Sequence, residues 1–526
     1  MAQRAPISPE LIVVRNNLEK VLPVLETHQD WYGSIYFERK SSKSFSANLK
    51  QTQLADNVTM GVALRIYDGY TLYEQATDDL DPESLLRFAQ KFAERVSSTP
   101  APAGATLRPY RAVSWKDRLQ SEKTLENEIT SQIPKNVTPK TRVHFGIQFK
   151  EDPRELKTAD WFDRAKGIIE RCKTLAPQAG LSATDLSYLL ARQAFSVEES
   201  IFIDRETNMS QTLFRLALTT ITMSGSDRTF LRIGGLGGLE AISFEDAELV
   251  TMLKDLKQLK SAERLQPGKY RVLFGPVLTG VLAHEAFGHS QEADTCARGR
   301  SKAWELHKSG TVVGNELATI LNNPAIFENG DSEYAAWGSY FFDEEGWLAQ
   351  EQVLLDRGVL KTPMTNLTSA IRLGIPRTAN GKRESWANGV YTRQTNTYFS
   401  AGDRTLDQLM GDLGNGFLAM HPAGGMEDPK GMGIQVGISY LQEVRDGKVT
   451  GKLFKGPAGG DIQMTGYTPD VLNSIVAKSK IEFDKSAPDQ ARHPFNDAGG
   501  CGKYHKEFVF AGCGGPFVLL DQVVLG

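Results

Sequence analysis

The chain has 526 residues, 40% hydrophobic and 24% charged, the profile of a soluble globular protein long enough for two to four domains. Its net charge of −4, without a long basic run, argues against nucleic acid as the main partner. No apolar run reaches the roughly 18 residues of a membrane span, and "MAQRAPISPELIVVRNNLEK" lacks a signal-peptide core. Cys172, Cys296, Cys501 and Cys513 are too few for a disulfide framework, so a reducing cytoplasm is the expected location.

"SIYFERK" (Ser34–Lys40) and "VALRIYDG" (Val62–Gly69) read as strands, the second ending in an Asp-Gly turn. "DPESLLRFAQKFAERV" predicts a helix with Asp81 as N-cap, Pro82 in the first turn, and a stripe of Leu85, Phe88, Ala89, Phe92 and Val96 facing the strands. Ser97–Pro109 has the composition of a linker. Residues 113–205 read as mostly helical, notably "ATDLSYLLARQAF", followed by strands in "LFRLALTTITMSG" and "TFLRIGGLGGLEA" and a helix in "FEDAELVTMLKDLKQLKSAERL". A second break falls at "QPGKY" (Gln266–Tyr270). Beyond about residue 340 strands and turns dominate, with hairpin turns at Arg357-Gly358 and Asp446-Gly447. The expected fold is α+β: an N-terminal α/β region over 1–265 (1–96 and 113–265, joined by the Pro/Ala-rich linker 97–109), then a β-rich C-terminal domain over 266–526.

That second half opens with "GPVLTGVLAHEAFGHSQEAD", a helix start at Gly275-Pro276 followed by His284, Glu285 and His289. The familiar zinc-peptidase pattern H-E-x-x-H spaces its histidines four apart. Here they are five apart, and at roughly 100° per residue they diverge by about 140° on a regular helix. A π-bulge would bring them together, and Gly288 would ease it. Without a bulge, Glu285 and His289 are a surface i,i+4 pair and His284 a core histidine. His289 with Glu292 and Asp294 is another possible metal pattern. A zinc peptidase needs a third ligand and an open position for water; Cys501 in "NDAGGCGKYHKEF" offers a thiolate, with Cys513 and His505 as competitors. His421 in "AMHPAGG" is a candidate oxyanion donor or a loop histidine. "GPAGGD" (Gly456–Asp461) reads as a tight hairpin before a cleft wall, and "RIGGLGGLE" lacks the lysine and helix start of a phosphate loop.

Several segments together, in order and spacing, resemble the TldD/TldE (PmbA) family of metallopeptidases, on its TldD-like, metal-carrying side. They are "PGKYRVLFGPVLTGVLAHEAFGHSQEAD", "ANGKRES" (Ala379–Ser385), "RQTNTY" (Arg393–Tyr398), "GGMEDPKGMGIQVG" and "GGCGK" (Gly499–Lys503). The resemblance implies one Zn2+ held by His284, His289 and Cys501, with Glu285 as the catalytic carboxylate. It implies a zinc-dependent peptidase that cleaves unfolded peptides or leader peptides, bound as extended strands in an enclosed cleft. It also implies a homodimer, or a heterodimer with a TldE-like subunit. The alternative is a non-catalytic or partner-dependent subunit acting mainly in peptide binding, although the complete set of four residues favours the enzyme.

Overall fold

A computed structural model of the chain describes residues 3–329, 334–481, 495, 498–503 and 506–526. Its first half is laid on one long, mainly antiparallel sheet. Helix α1 (Pro9–Leu25), strands β1 (Tyr32–Asn48), β2 (Thr52–Tyr67) and β3 (Leu72–Thr77), and helix α2 (Pro82–Ser98) come first. The Asp81 carboxylate accepts the Ser84 N–H at 3.0 Å, and Pro82 sits in the first turn, where its missing N–H costs nothing. Leu85, Ala89, Phe92 and Val96 of α2 join Leu11 and Leu18 of α1 against Ile35, Phe37, Leu64 and Ile66 of the strands.

After an irregular stretch over 99–114 come β4 (Arg142–Gly146), α3 (Thr158–Leu175), β5 (Tyr188–Asp204), β6 (Asn208–Ser224), β7 (Asp227–Leu236) and α4 (Asp246–Leu259). The sheet order is β7-β6-β5-β1-β2-β3, with β4 parallel to the start of β6. Trp161 and Ile169 of α3 and Leu249, Leu253 and Leu256 of α4 form a second core with Phe214 and Leu216. The helical reading of residues 113–205 holds for α3 but fails at "YLLARQAF". There Leu189, Ala191 and Phe195 point inward at every second position while Leu190 and Arg192 do not. Leu and Ala favour helix in isolation, but β5 is flanked by partners, β1 on one side and β6 on the other, and pairing decides.

The second half holds β8 (Gly268–Phe274), α5 (Pro276–Ala283), β9 (Gly416–Ala419), β10 (Pro422–Asp428), β11 (Gly433–Ile438), β12 (Leu441–Arg445), β13 (Lys448–Lys455), β14 (Ile462–Tyr467), β15 (Ile475–Lys478), β16 (Gly500–Lys503), β17 (Lys506–Phe510) and β18 (Val518–Leu525). Its main sheet runs β13-β12-β9-β8-β18-β14-β11-β10, with β15 beside β18. Strand β8 therefore lies centrally and delivers α5 onto the sheet, where Leu278 and Leu282 bury beside Val272, Phe274, Val436 and Leu520. Strand β10 is an edge, paired only with β11 among the described residues. Both expected hairpin turns are left-handed at two successive residues, with φ of 47° and 76° at Arg357-Gly358 and 48° and 72° at Asp446-Gly447.

The halves share buried structure. Ala335 and Ala336 pair with Leu236 and Gly235 of β7. The Glu345 carboxylate, 1% exposed, meets Arg65 of β2 at 2.7 Å and Arg377 at 3.1 Å, and accepts the Leu367 N–H at 2.5 Å. Burial alone would raise its pKa, but Arg65 and Arg377 outweigh this and hold it below the ordinary value. Removing Glu345 takes the carboxylate from buried Arg377 and leaves Arg65 with Glu74, so Glu345→Ala is expected to cost about 3–5 kcal/mol in denaturant unfolding. Glu83→Ala, which breaks an exposed pair with Arg87, is expected to cost less than about 0.5 kcal/mol.

Candidate metal centre

Helix α5 does not continue regularly into the histidines. His284–Gly288 form a π-helical turn in which the His289 N–H bonds to the His284 carbonyl, five residues back. Phe287, at φ −133° and ψ 15°, absorbs the distortion. The extra residue brings the two imidazoles to the same side, with Nε2 atoms 3.2 Å apart and ring planes at 88°. Cys501, on β16, places its Sγ 3.2 Å from His284 Nε2 and 3.3 Å from His289 Nε2. Ligand atoms of a tetrahedral zinc with bonds of about 2.0–2.3 Å stand about 3.3–3.6 Å apart. The triangle closes on that size, and a thiolate with two imidazoles is a donor set that suits zinc.

The charges agree with a cation position. Burial would raise the Cys501 thiol, yet His289 and His284 outweigh it and hold the pKa well below the ordinary value. Burial would lower His289, yet Cys501 and Glu292 push it well above. Three close donor atoms in a buried pocket need positive charge between them, from a proton or from a metal ion.

A shell of further residues fixes the donors. Glu292 Oε2 lies 3.4 Å from His289 Nδ1, the carboxylate–histidine arrangement that orients metal ligands. Lys503 holds Glu292 at 3.0 Å and Asp294 at 2.6 Å. Arg393, 3.6 Å from the other Glu292 oxygen, donates to the Cys501 carbonyl at 2.7 Å. Gln394 donates to the His284 carbonyl at 3.2 Å and accepts from the Thr397 hydroxyl at 2.8 Å. Gly288 is needed for this last contact. Its own backbone is ordinary, at φ −70°, but a Cβ there would lie 2.0 Å from Gln394 Oε1. The expectation that Gly288 eases the bulge is thus corrected: Phe287 takes the unusual angles and Gly288 makes room.

The donors open onto a cleft of about 830 Å³. Edge strand β10 forms one wall and Arg228, Phe230 and Arg232 of β7 contribute another. Glu285, 7% exposed, lies against β10, where a Cβ on Gly425 would fall 2.7 Å from its side chain. Burial pushes its pKa above the ordinary value. Glu427 on β10 accepts from the Ser290 hydroxyl at 2.8 Å and is pushed by burial up to about 8.

The structure thus brings His284, Glu285, His289 and Cys501 to one cleft. Glu292 and Asp294 support the cluster instead of joining it. Cys513 lines the cleft outside the three-donor group, and His505 lies outside the described residues. His421 stacks on Tyr440 at 4.8 Å, and burial lowers its pKa to about 4. The Gly-rich segment after β7 is bound by its own Glu240, which accepts N–H groups of Lys150, Glu151 and Gly238 at 2.8–3.1 Å. Gln394, Gly425 and Glu427 had no role assigned from sequence; their only signal was membership of the segments "RQTNTY" and "GGMEDPKGMGIQVG".

Comparison with known proteins places this geometry among relatives. Residues 267–526 match the family model described as PmbA/TldA metallopeptidase C-terminal domain. A Metalloprotease TldD homolog of Buchnera aphidicola subsp. Acyrthosiphon pisum is 32% identical over 440 residues, covering 81% of this chain and 82% of that protein. A Zinc metalloprotease TldD homolog of Saccharolobus solfataricus is 28% identical over 272 residues, 52% of this chain and 54% of the relative. The crystal structure of TldE from Thermococcus kodakarensis superposes with a TM-score of 0.63 at 13% identity, over 97% of this chain and 100% of that one, and shares its fold.

Gly288→Ala tests the local account. It is expected to displace Gln394, remove its hydrogen bond to the His284 carbonyl and weaken metal binding about tenfold, read by competition with a chromophoric chelator, while circular dichroism stays unchanged. Unaltered affinity would show that Gln394 does not position His284.

Proposed function

The chain belongs to the TldD/PmbA family of metallopeptidases, and on that footing we propose that it is a zinc-dependent peptidase acting on unfolded peptides or leader peptides. His284, His289 and Cys501 would hold one Zn2+, with Glu285 as the catalytic carboxylate. The observation that carries this reading is the convergence of the three donor atoms, none more than 4.8 Å from another, beside a buried carboxylate on the same cleft. A zinc ion there would supply Lewis-acid polarisation of a carbonyl and acidify water.

Glu285 takes the proton of the attacking water and passes it to the leaving nitrogen. Its contact with Gly425 fixes where that exchange occurs. Glu292 keeps His289 turned by its Nδ1, leaving Nε2 for the metal.

The peptide lies as an added strand beside β10. That strand has a free outer edge among the described residues, and Met426 on it is 66% exposed. Main-chain pairing is indifferent to side chains, which suits a broad range of extended sequences. Family membership and the shared TldE fold support a dimer, either of two copies or with a TldE-like subunit. No helix among the described residues is long and apolar enough to cross a membrane, and we place the enzyme in the cytoplasm on the absence of a disulfide framework. A role in peptide binding alone is disfavoured by the complete set of donors and carboxylate.

Metal analysis with peptide cleavage tests the proposal. The purified protein is expected to carry about one zinc per chain and to cleave an unfolded peptide, with chelation abolishing turnover. Glu285→Gln should retain zinc while cleavage falls at least about 100-fold. Cys501→Ser should lose the metal. Gly425→Ala should slow cleavage with zinc content intact, because it pushes Glu285 and leaves the donors in place. Zinc bound with no peptide or amide turnover would refute the enzymatic reading.

A further inference from the structure

Strands β16 and β17, which carry Cys501, pair only with each other among the described residues. A lone two-stranded hairpin is marginally stable in water. A metal-binding sulfur, however, has to hold its place to within tenths of an ångström, so the restraint comes from outside the hairpin.

Polar restraints grip both strands. The register pairs Gly500 with Phe510 and Cys501 with Val509, so Cys501 and Phe510 lie on facing strands one step apart. Arg393, 0% exposed, donates to the Cys501 carbonyl at 2.7 Å. Lys382, 7% exposed, donates to the Phe510 carbonyl at 2.5 Å. The Trp337 indole donates to the Gly499 carbonyl at 2.6 Å, just before the hairpin. Burying cations is costly unless each is well bonded, and two of these cations spend a bond on this hairpin.

The Phe510 ring adds a further restraint. Lys40 Nζ stands 3.9 Å from its centroid and the Arg215 guanidinium 4.7 Å, and Trp337 meets it edge-on at 5.1 Å. Lys40 belongs to β1 and Arg215 to β6, so the contact reaches into the N-terminal sheet. Arg215 is itself fixed by Glu198 at 2.9 and 3.0 Å. Cations over the ring face are attracted to its quadrupole.

We propose that Arg393, Lys382 and the cationic seat of Phe510 form a clamp that sets the position of the Cys501 sulfur and with it the zinc affinity, so that the N-terminal sheet tunes the metal site through Phe510. The proposal rests on the zinc reading above. All of these are positioning residues, outside the three-donor group: Lys382 and Phe510 act through the hairpin, and Arg393 acts through it and beside Glu292.

The test uses the whole 526-residue chain. Zinc affinity is measured by chelator competition, and the thiolate-to-metal charge-transfer band is recorded with cobalt(II). Thermal unfolding of the metal-free form is followed alongside. Phe510→Leu keeps an apolar side chain and removes the quadrupole; Lys382→Met keeps the length and removes the donor. Each is expected to weaken zinc about tenfold and to shift or weaken the cobalt band, with metal-free melting unchanged within a few degrees. Arg393→Met is expected to cost up to about 100-fold and Arg393→Lys to recover part of it. Unchanged zinc affinity and cobalt spectra in Phe510→Leu and Lys382→Met would overturn the proposal even if Arg393→Met fails to fold. Losses that merely follow the melting temperature of the metal-free form would overturn it too. A wild-type protein that takes up no zinc would instead refute the zinc reading, and the clamp's metal role with it.

Discussion

Everything at the site depends on one extra residue in a helical turn. With four residues from one imidazole to the next, a regular helix would do; with five, the backbone must widen. The π turn at His284–Gly288 does this. The His284 oxygen accepts both the His289 N–H and the Gln394 amide. The distortion is therefore held by tertiary contacts, and the two Nε2 atoms stand 3.2 Å apart because a side chain from residue 394 lies where a Cβ on residue 288 would have been.

The same logic of close approach governs the rest of the cleft. Gly425 lets edge strand β10 lie against Glu285, so this carboxylate and a strand edge unpaired among the described residues are placed by one missing methyl group. The sulfur arrives from more than two hundred residues away on a hairpin whose strands pair only with each other among the described residues, and buried Arg393 and Lys382 donate to its carbonyls. Ion pairs do similar work between the halves of the molecule, where Glu345 meets Arg65 and Arg377. Such pairs contribute little net stability against an apolar alternative. Their effect here is on geometry: Glu345 ties Arg65 of β2 to Arg377 and to the Leu367 N–H.

Much of the fold was legible locally. Asp81-Pro82 marked a helix start, the Arg-Gly and Asp-Gly pairs marked hairpin turns, and an apolar stripe marked α2. The failure at Tyr188–Asp204 has a clear cause. Its Leu- and Ala-rich composition suits a helix, and the alternation that betrays the strand is blurred by Leu190 beside Leu189. A strand between two others takes its structure from pairing with residues 34–48 and 208–223, which no local window contains.

The sequence by itself determined the chemistry on offer: two imidazoles, a carboxylate and a thiol, in segments that resemble one metallopeptidase family. It also posed the geometric problem, since a five-residue spacing excludes a regular helix if both histidines share an ion. Only the tertiary structure decided that the turn widens, that Cys501 and not Cys513 completes the triangle, and that Glu292 meets His289 while Asp294 anchors Lys503. Donor type is a property of single residues and can be read from them. Which donors meet depends on contacts between residues far apart in the chain, and those exist only once the strands have paired and the cores have closed.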